Sequence, residues 1–214
     1  MSKNNNLCQF YLMRHGQTKW NQEHRIQGQQ DSPLTELAIK QAQARSQELQ
    51  DINFTAVFSS DLSRAQKTAE IMALNHEITV ISSKLLRERA LGIFEGKKVD
   101  DFNEELKALL KTLDTKSHQE FPKYAGAVES VSQVLTRFIR FLRSTALAYP
   151  EKKVLVVSHA GVIGNFLVKL GYLDISSMFE LKIENLSYAI VESDGVDFFI
   201  KNTDGICLRE NSDQ

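Results

Sequence analysis

The sequence predicts a single α/β domain, in which helices flank a mostly parallel central sheet in three layers and the chain ends in a hairpin. Residues 7–13 and 152–159 are nearly continuous apolar runs, typical of strands buried on both faces of a parallel sheet. Segments with helical spacing follow these runs, and strand and helix alternate for about 170 residues. Because the 214 residues contain no low-complexity linker, we expect one domain over 1–214, with its core at about 7–203.

The first half of the chain is predicted to form three strands and two helices. The strands cover 7–13, 54–60 and 77–82. Apolar residues at helical spacing predict a helix within 32–50, with Ser32-Pro33 as its start signal. A second helix is predicted over 61–74, with Asp61 in position to cap it.

The second half is predicted to add helices on both sides of a buried strand, and then the hairpin. Residues 98–125 start as a helix and become loop-like, whereas 127–149 form the longest amphipathic stretch. The strand at 152–159 runs directly into a helix at 160–171. Alternating apolar residues over 179–202, around a Ser-Asp-Gly turn, indicate the terminal hairpin.

Composition and charge exclude several classes of function. The chain has 26 Lys and Arg against 27 Asp and Glu, a net charge of -1, which argues against a general nucleic-acid binder. We find no stretch long and apolar enough for a signal peptide or a membrane span. Cys8 and Cys207 lie at opposite ends without metal-ligand spacing, so we expect a reduced, cytoplasmic protein without disulfides. We find no two-metal carboxylate cluster and no Walker loop, so we expect no metal or other cofactor.

Three predicted strands end in residues of similar chemistry. The first ends in Arg14-His15-Gly16, the second is followed by Arg64 one turn into a helix, and the strand with "VLVVS" (154–158) ends in His159-Ala160-Gly161. The carboxyl ends of parallel strands share one edge of the sheet, where ligands bind in open α/β folds. Guanidinium groups match phosphate oxygens in paired hydrogen bonds, so the pattern predicts a phosphoryl-binding site.

A histidine in such a cluster is suited to nucleophilic catalysis. Neighbouring arginines lower its pKa, which leaves a neutral imidazole with a lone pair that can attack phosphorus. Each piece also has an ordinary alternative. An R-H-G triplet can arise by chance, His159 could be a buried hydrogen-bonded residue at a helix start, and Arg64 could be a solvated helix residue.

Four ordered blocks of the chain resemble the histidine phosphatase superfamily, which has the phosphoglycerate mutase-like fold. They are "RHGQTKWNQEHRIQGQQDSPLTELAIKQA", "SSDLSRAQKTAE", "LLRERALGIFEGKK" and "SHAGVIG", and the match runs from about residue 9 to 192. The resemblance implies that His15 is a nucleophile that becomes a phosphohistidine, and that Arg14, Arg64 and His159 bind the phosphoryl group. It also implies that Glu88 is the general acid that protonates the leaving alkoxide and later helps to activate water.

The resemblance extends to residues around the substrate. Thr18, Asn21, Gln27 and Gly28 match positions at the edge of the family's pocket, and Gly16 and Ala160 complete the predicted substrate-binding set. Thr18 and Asn21 could equally be helix-capping groups. Without the family, an exposed ion pair of Glu88 with a neighbouring arginine would be the simpler interpretation.

Departures from the family favour a phosphatase over a mutase. Leu91 stands where the mutases carry a tyrosine, Gly164 replaces a frequent arginine, and the region after Gly96 is shorter than in the glycolytic mutases. A mutase must hold its intermediate away from water, whereas a phosphatase must admit water. We therefore expect a phosphomonoesterase for a small phosphorylated metabolite such as a sugar phosphate or bisphosphate. The alternatives are a phosphoglycerate mutase and, in another class, an inactive binding module; the sequence predicts no oligomeric state.

Overall fold

The computed structural model describes residues 6–101, 128–173 and 180–208. Within these ranges the chain forms a six-stranded sheet in the order β3-β2-β4-β1-β5-β6. The strands are β1 (Cys8–Arg14), β2 (Phe54–Ser60), β3 (Val80–Ser83), β4 (Lys153–Ser158), β5 (Leu181–Ser193) and β6 (Phe198–Leu208). The pairs among β1 to β4 are parallel, whereas β5 is antiparallel to both β1 and β6. The predicted three-layer α/β fold with a C-terminal hairpin is confirmed.

The central strand β1 shows why apolar runs without alternation predict a doubly covered sheet. Cys8, Phe10 and Leu12 belong to one core cluster, and Tyr11 and Met13 belong to a second. Successive side chains of a strand point to opposite faces, so β1 packs into a hydrophobic core on each side. Helices supply the outer walls of both cores.

Among the described residues, the α-helices with defined bounds are α1 (Lys19–Gln22), α2 (Glu36–Glu48), α3 (Ser63–Ala73), α4 (Val131–Ala148) and α5 (Ala160–Lys169), and residues 99–101 are helical as well. Helices α2 and α3 cover one face of the sheet, and α4 and α5 cover the other. Helix α4 begins with a capping box between Ser130 and Gln133. Its face contains Phe138 and Leu142, both fully buried, as the amphipathic pattern predicts.

Two predicted helix starts are wrong. Helix α2 is capped by Thr35, whose hydroxyl accepts the Ala38 N–H, rather than starting at Ser32-Pro33. Helix α3 is not capped by Asp61, because both oxygens of that carboxylate accept hydrogen bonds from the Arg87 guanidinium at 2.7 Å. Asp31 takes that role from a distant loop and accepts the Ser63 N–H at 2.7 Å. Because Asp61 pairs with Arg87, the start of α3 is capped by Asp31 instead.

The terminal hairpin turns at the predicted Ser-Asp-Gly. Asp194 accepts the N–H groups of Val196 and Asp197, each at 2.8 Å, and Gly195 takes the positive φ of +94° that the turn needs. Most of the predicted segment 98–125 lies outside the described residues. Within the described residues, every helix is too short or too polar to span a lipid bilayer.

Candidate active site

The carboxyl ends of β1 and β4 bring the two predicted histidines together. The strands are neighbours in parallel register, and the N–H of His15 donates to Ser158 O at 3.0 Å. His159 follows directly, and its ring centroid lies 5.2 Å from that of His15. Both rings are buried. The geometry therefore places them at one point of the sheet edge, as the strand-end argument predicts.

Backbone contacts fix the proton of the His15 ring. Nδ1 lies 2.7 Å from Gly16 O. Because a carbonyl oxygen only accepts, Nδ1 carries the proton and Nε2 keeps its lone pair. Asn185, on β5, donates from its amide to His15 O at 2.9 Å and holds the same turn from the other side.

Burial and charge keep His15 neutral. Desolvation lowers its pKa well below the usual value, and the nearby positive charges of Arg64 and Arg14 lower it further against the opposing hydrogen bond to Gly16. The pKa of His159 is lowered for the same first reason, and then by Arg64 and the His15 ring. Both imidazoles are therefore unprotonated at neutral pH.

A loop ahead of α2 anchors the buried side chain of Arg64. Its Nη1 donates to Gln30 O at 2.6 Å and to Asp31 Oδ1 at 2.9 Å, and its Nη2 donates to Gly28 O at 2.7 Å. Desolvation lowers the pKa of Arg64, and the charges of Asp31 and Glu88 oppose that change. The loop thus holds a buried guanidinium in one orientation.

Arg14 is held in a similar way by β5. Its Nη1 donates to Ile183 O at 2.5 Å. Burial lowers the pKa of Arg14 to about 10, while the charge of Glu88 raises it. The guanidinium is therefore still protonated at neutral pH.

Several polar atoms of this cluster are buried without a hydrogen-bond partner among the described residues. They are Arg14 Nε, Arg64 Nε and both ring nitrogens of His159. Gln27 Oε1, next to the loop that anchors Arg64, is in the same state. Buried polar groups are normally satisfied, so such atoms at one place indicate a binding site. In the described ranges, His, Cys, Asp and Glu side chains do not gather in threes that could hold a metal ion.

Glu88 reaches the same place through the start of α5. Its Oε2 accepts the Gly161 N–H at 3.0 Å, and its Oε1 accepts the Arg89 N–H at 2.8 Å. A Cβ on Gly161 would lie 2.6 Å from Glu88 Oε1, so only glycine permits this approach. The side chains of the flanking arginines bind elsewhere, that of Arg87 to Asp61 and that of Arg89 to Glu129 O. The structure therefore does not support an exposed ion pair with either arginine.

The predicted substrate-binding residues fall into two groups. Thr18 and Asn21 form the capping box of α1, in which Asn21 Oδ1 accepts the Thr18 N–H. Both side chains are therefore helix-capping groups, which is the alternative that the sequence left open. Gly28 has a φ of +51°, and a Cβ there would collide with Glu95. Gly16 and Ala160 follow the two histidines, and a Cβ on Gly16 would lie 3.3 Å from Ala38 Cβ.

A cleft of about 610 Å³ adjoins this cluster. Arg14 and Gly161 mark its boundary with the cluster. The amides of Gln17, Gln41 and Asn185 line it together with apolar groups of Leu181, Ile183 and Ala160. A molecule seated there would touch the residues beside both His15 and Glu88.

Sequence reasoning missed residues that hold the site from a distance. Asp31 fixes Arg64 and caps α3, and Asn185 fixes the backbone of His15. The only local signal was an aspartate in the turn-forming "QDSP", which does not identify a partner 33 positions away.

The neutral histidines predict a pH dependence of stability. Below about pH 6.5 an unfolded chain binds protons on histidines that the folded chain keeps neutral. The free energy of unfolding should therefore fall as pH falls from about 6.5 to 5, because His15 and His159 gain protons only on unfolding. Urea unfolding across this range measures the slope. His159→Asn should make this slope shallower, and a flat profile for the unmodified chain would contradict the neutral pair.

Comparison with known proteins gives the family. The model of the histidine phosphatase superfamily (branch 1) matches residues 10–204, so the chain belongs to this superfamily. A curated relative, "Probable phosphoglycerate mutase GpmB" of Erwinia tasmaniensis, is 35% identical over 87% of this chain and 85% of its own.

Solved structures agree on the fold and carry both kinds of activity in their names. Phosphoglycerate mutase from Bacillus anthracis is 27% identical, with a TM-score of 0.78 over 96% of each chain. The mycobacterial glucosyl-3-phosphoglycerate phosphatase, in complex with VO3, is 25% identical, with a TM-score of 0.73 over 90% of this chain and 96% of that one. Membership of the family therefore does not decide between a mutase and a phosphatase, and the residues of the site must be considered.

Proposed function

We propose that this chain is a phosphomonoesterase that works through a phosphohistidine at His15 on a small phosphorylated metabolite. The observation that carries the proposal is the set of buried, unpartnered donors on Arg14, Arg64 and His159 around a neutral imidazole. A tetrahedral phosphoryl group offers acceptor oxygens in several directions, which suits donors converging from three strand ends. The two arginines supply the positive charge that its oxygens need.

The first chemical step transfers the phosphoryl group to the protein. The lone pair of His15 Nε2 attacks phosphorus, and the bond from phosphorus to the ester oxygen breaks. Nδ1 keeps its proton and donates it to Gly16 O, and this hydrogen bond stabilises the positive charge that develops on the ring. Glu88, in its acid form, gives its proton to the departing oxygen.

The second step returns the protein to its starting state. The Glu88 carboxylate takes a proton from water as the water oxygen attacks phosphorus. The bond from phosphorus to Nε2 breaks, the electron pair returns to the imidazole, and inorganic phosphate leaves. The guanidinium groups of Arg14 and Arg64 stabilise the phosphoryl charge in both steps.

The cleft beside Arg14 is the proposed place for the alcohol part of the substrate. Its volume of about 610 Å³ suits a small metabolite. Amide side chains can hydrogen-bond hydroxyl groups there, as in a sugar phosphate, while Leu181 and Ile183 supply an apolar wall. The near-neutral net charge of -1 supports a small molecule, rather than nucleic acid, as the partner.

A phosphoglycerate mutase is the second candidate, and the names of several relatives favour it. The same His15 chemistry would serve both activities, because they differ only in whether water or the product hydroxyl takes the phosphoryl group. A mutase must also retain its intermediate in a closed site. The two activities are therefore distinguished by their products, free phosphate for a phosphatase and an isomerised phosphate ester for a mutase.

Incubation with 3-phosphoglycerate, and separately with a panel of sugar phosphates, tests the proposal. We expect free phosphate from at least one ester, with less than about one isomerisation per hundred turnovers on 3-phosphoglycerate. Phosphate release is followed by a colorimetric assay and isomerisation by coupling to enolase. Isomerised product without phosphate would establish the mutase instead. Phosphate binding without either activity would establish the inactive binding module.

A further inference from the structure

Arg137, on helix α4, donates hydrogen bonds to two backbone carbonyls of the segment 85–90, which carries Glu88. Its Nη1 donates to Leu85 O at 2.8 Å, and its Nη2 donates to Glu88 O at 3.0 Å. The same guanidinium binds both oxygens of Glu129, at 2.7 and 2.9 Å. Bidentate pairs of this kind hold both partners in a fixed orientation.

Glu129 fastens the other side of the same segment. Its Oε2 accepts the Ala90 N–H at 3.3 Å, and its backbone N–H donates to Ala90 O at 2.9 Å. Its backbone oxygen accepts from Arg89 Nε at 2.6 Å. Residues on both sides of Glu88 are thus bound to one ion pair.

This ion pair is mostly shielded from solvent and lies close to the reacting groups. Each of its side chains is only 16% exposed. The positive charge of Arg137 is among the causes that lower the pKa of His159, after desolvation, Arg64 and His15. Such a pair is costly to bury, and the carbonyls of Leu85 and Glu88 satisfy donors that Glu129 leaves over.

We propose that Arg137 and Glu129 are positioning residues for the general acid, holding the backbone of 85–90 so that the Glu88 carboxylate stands over the start of α5. This inference rests on the proposed function. Proton transfer to a leaving oxygen requires heavy atoms at about 2.6–3.2 Å, so small displacements of the acid are costly. Gln29 Nε2 also donates to Glu88 O, at 3.1 Å, so removing Arg137 loosens this anchor without abolishing it.

Arg137→Met tests the positioning role through the leaving group. We expect kcat/KM to fall about 10- to 100-fold on an alkyl phosphate and less than about 3-fold on p-nitrophenyl phosphate, which leaves without a proton. Arg140→Gln, an exposed arginine on the same helix, is the control and should change neither value. Circular dichroism and thermal unfolding define a temperature at which each variant is folded.

A double-mutant cycle with Glu88→Gln separates positioning from a general structural effect. If Arg137 acts through Glu88, the Glu88→Gln/Arg137→Met variant should lose no more than about 3-fold beyond Glu88→Gln on the alkyl phosphate. Losses that multiply, or equal losses on both substrates, would overturn the inference. Should Arg137→Met fail to fold, Glu129→Gln replaces it. Its kcat/KM should also fall more on the alkyl phosphate than on p-nitrophenyl phosphate, by a smaller factor than for Arg137→Met. An unmodified chain that releases no phosphate would overturn the proposed function first, whereas equal losses in an active chain overturn only the positioning role.

Discussion

His15→Ala should lower the phosphatase rate by at least about 10⁴-fold while leaving the fold intact. The variant lacks the only proposed nucleophile, and water cannot replace Nε2 in a site arranged around that atom. The fold should survive, because the ring of His15 is neutral and belongs to no ion pair in the described part of the chain, and the backbone bonds of this residue to Ser158 and Asn185 remain when the ring is removed. Steady-state phosphate release and far-ultraviolet circular dichroism measure the two parts.

Trapping of the covalent intermediate makes this prediction specific. Rapid quenching with a phosphorus-labelled substrate should leave label on the unmodified protein that is lost in acid and kept in base, as a phosphoramidate bond behaves. His15→Ala should carry none. His76→Gln, a change at a histidine that packs on Phe54 and lies outside the cluster, should keep it. Label at another side chain, or more than a few per cent of the activity in a correctly folded His15→Ala, would contradict the nucleophile assignment.

The fold was predictable because its main signals lie in short, local stretches of the sequence. The unbroken apolar run of β1 requires a core on both faces, and helical segments alternate with such strands along the chain, so a layered α/β sheet follows from local pattern alone. The order of the strands was not predictable, because it depends on which helices fill which face. One strand boundary also differs from the prediction. The third strand begins at Val80 and not at residue 77; no residue type in this stretch signals where the strand starts.

The centre of the site was predictable and its supports were not. Arg14 ends β1, and His15 and His159 directly follow β1 and β4, so the predicted strand ends place all three at one edge of the sheet; they meet there because β1 and β4 are neighbouring strands. Asp31 binds Arg64, 33 positions away, and Glu129 accepts from Ala90, 39 positions away, and no local pattern records such pairing. Asp61 shows the opposite error: its position suits an N-cap, so the sequence predicted a capping role, but in the structure it forms an ion pair with Arg87.

The supports share one physical reason. A phosphoryl site needs buried cations, and each buried cation needs acceptors that fix it without neutralising every donor. Arg64 meets this need with two carbonyls and one carboxylate, and Arg14 with one carbonyl, so that Nε of each is left over. Backbone carbonyls carry no sequence signal, which is why the arginines were visible in the sequence and their anchors were not.

Glu88→Gln should slow the reaction of alkyl phosphates far more than that of p-nitrophenyl phosphate. Loss of a general acid should lower kcat/KM on an alkyl phosphate by about 10²- to 10³-fold, because an alkoxide is a poor leaving group. On p-nitrophenyl phosphate the fall should stay below about tenfold, since nitrophenolate leaves without a proton. Because kcat/KM covers only the steps up to phosphorylation of His15, this ratio tests the acid role alone. Equal losses on both substrates would refute it.

The same variant separates the second role of Glu88 from the first. If the carboxylate also takes a proton from water, dephosphorylation becomes slow in Glu88→Gln even with an activated ester. A stopped-flow trace with p-nitrophenyl phosphate should then show a burst of about one nitrophenolate per active site, followed by a slow steady rate. A linear trace would mean that water reaches the phosphohistidine without help from Glu88. The geometry favours the burst, because the carboxylate that binds Gly161 N–H stands at the start of the helix that His159 directly precedes.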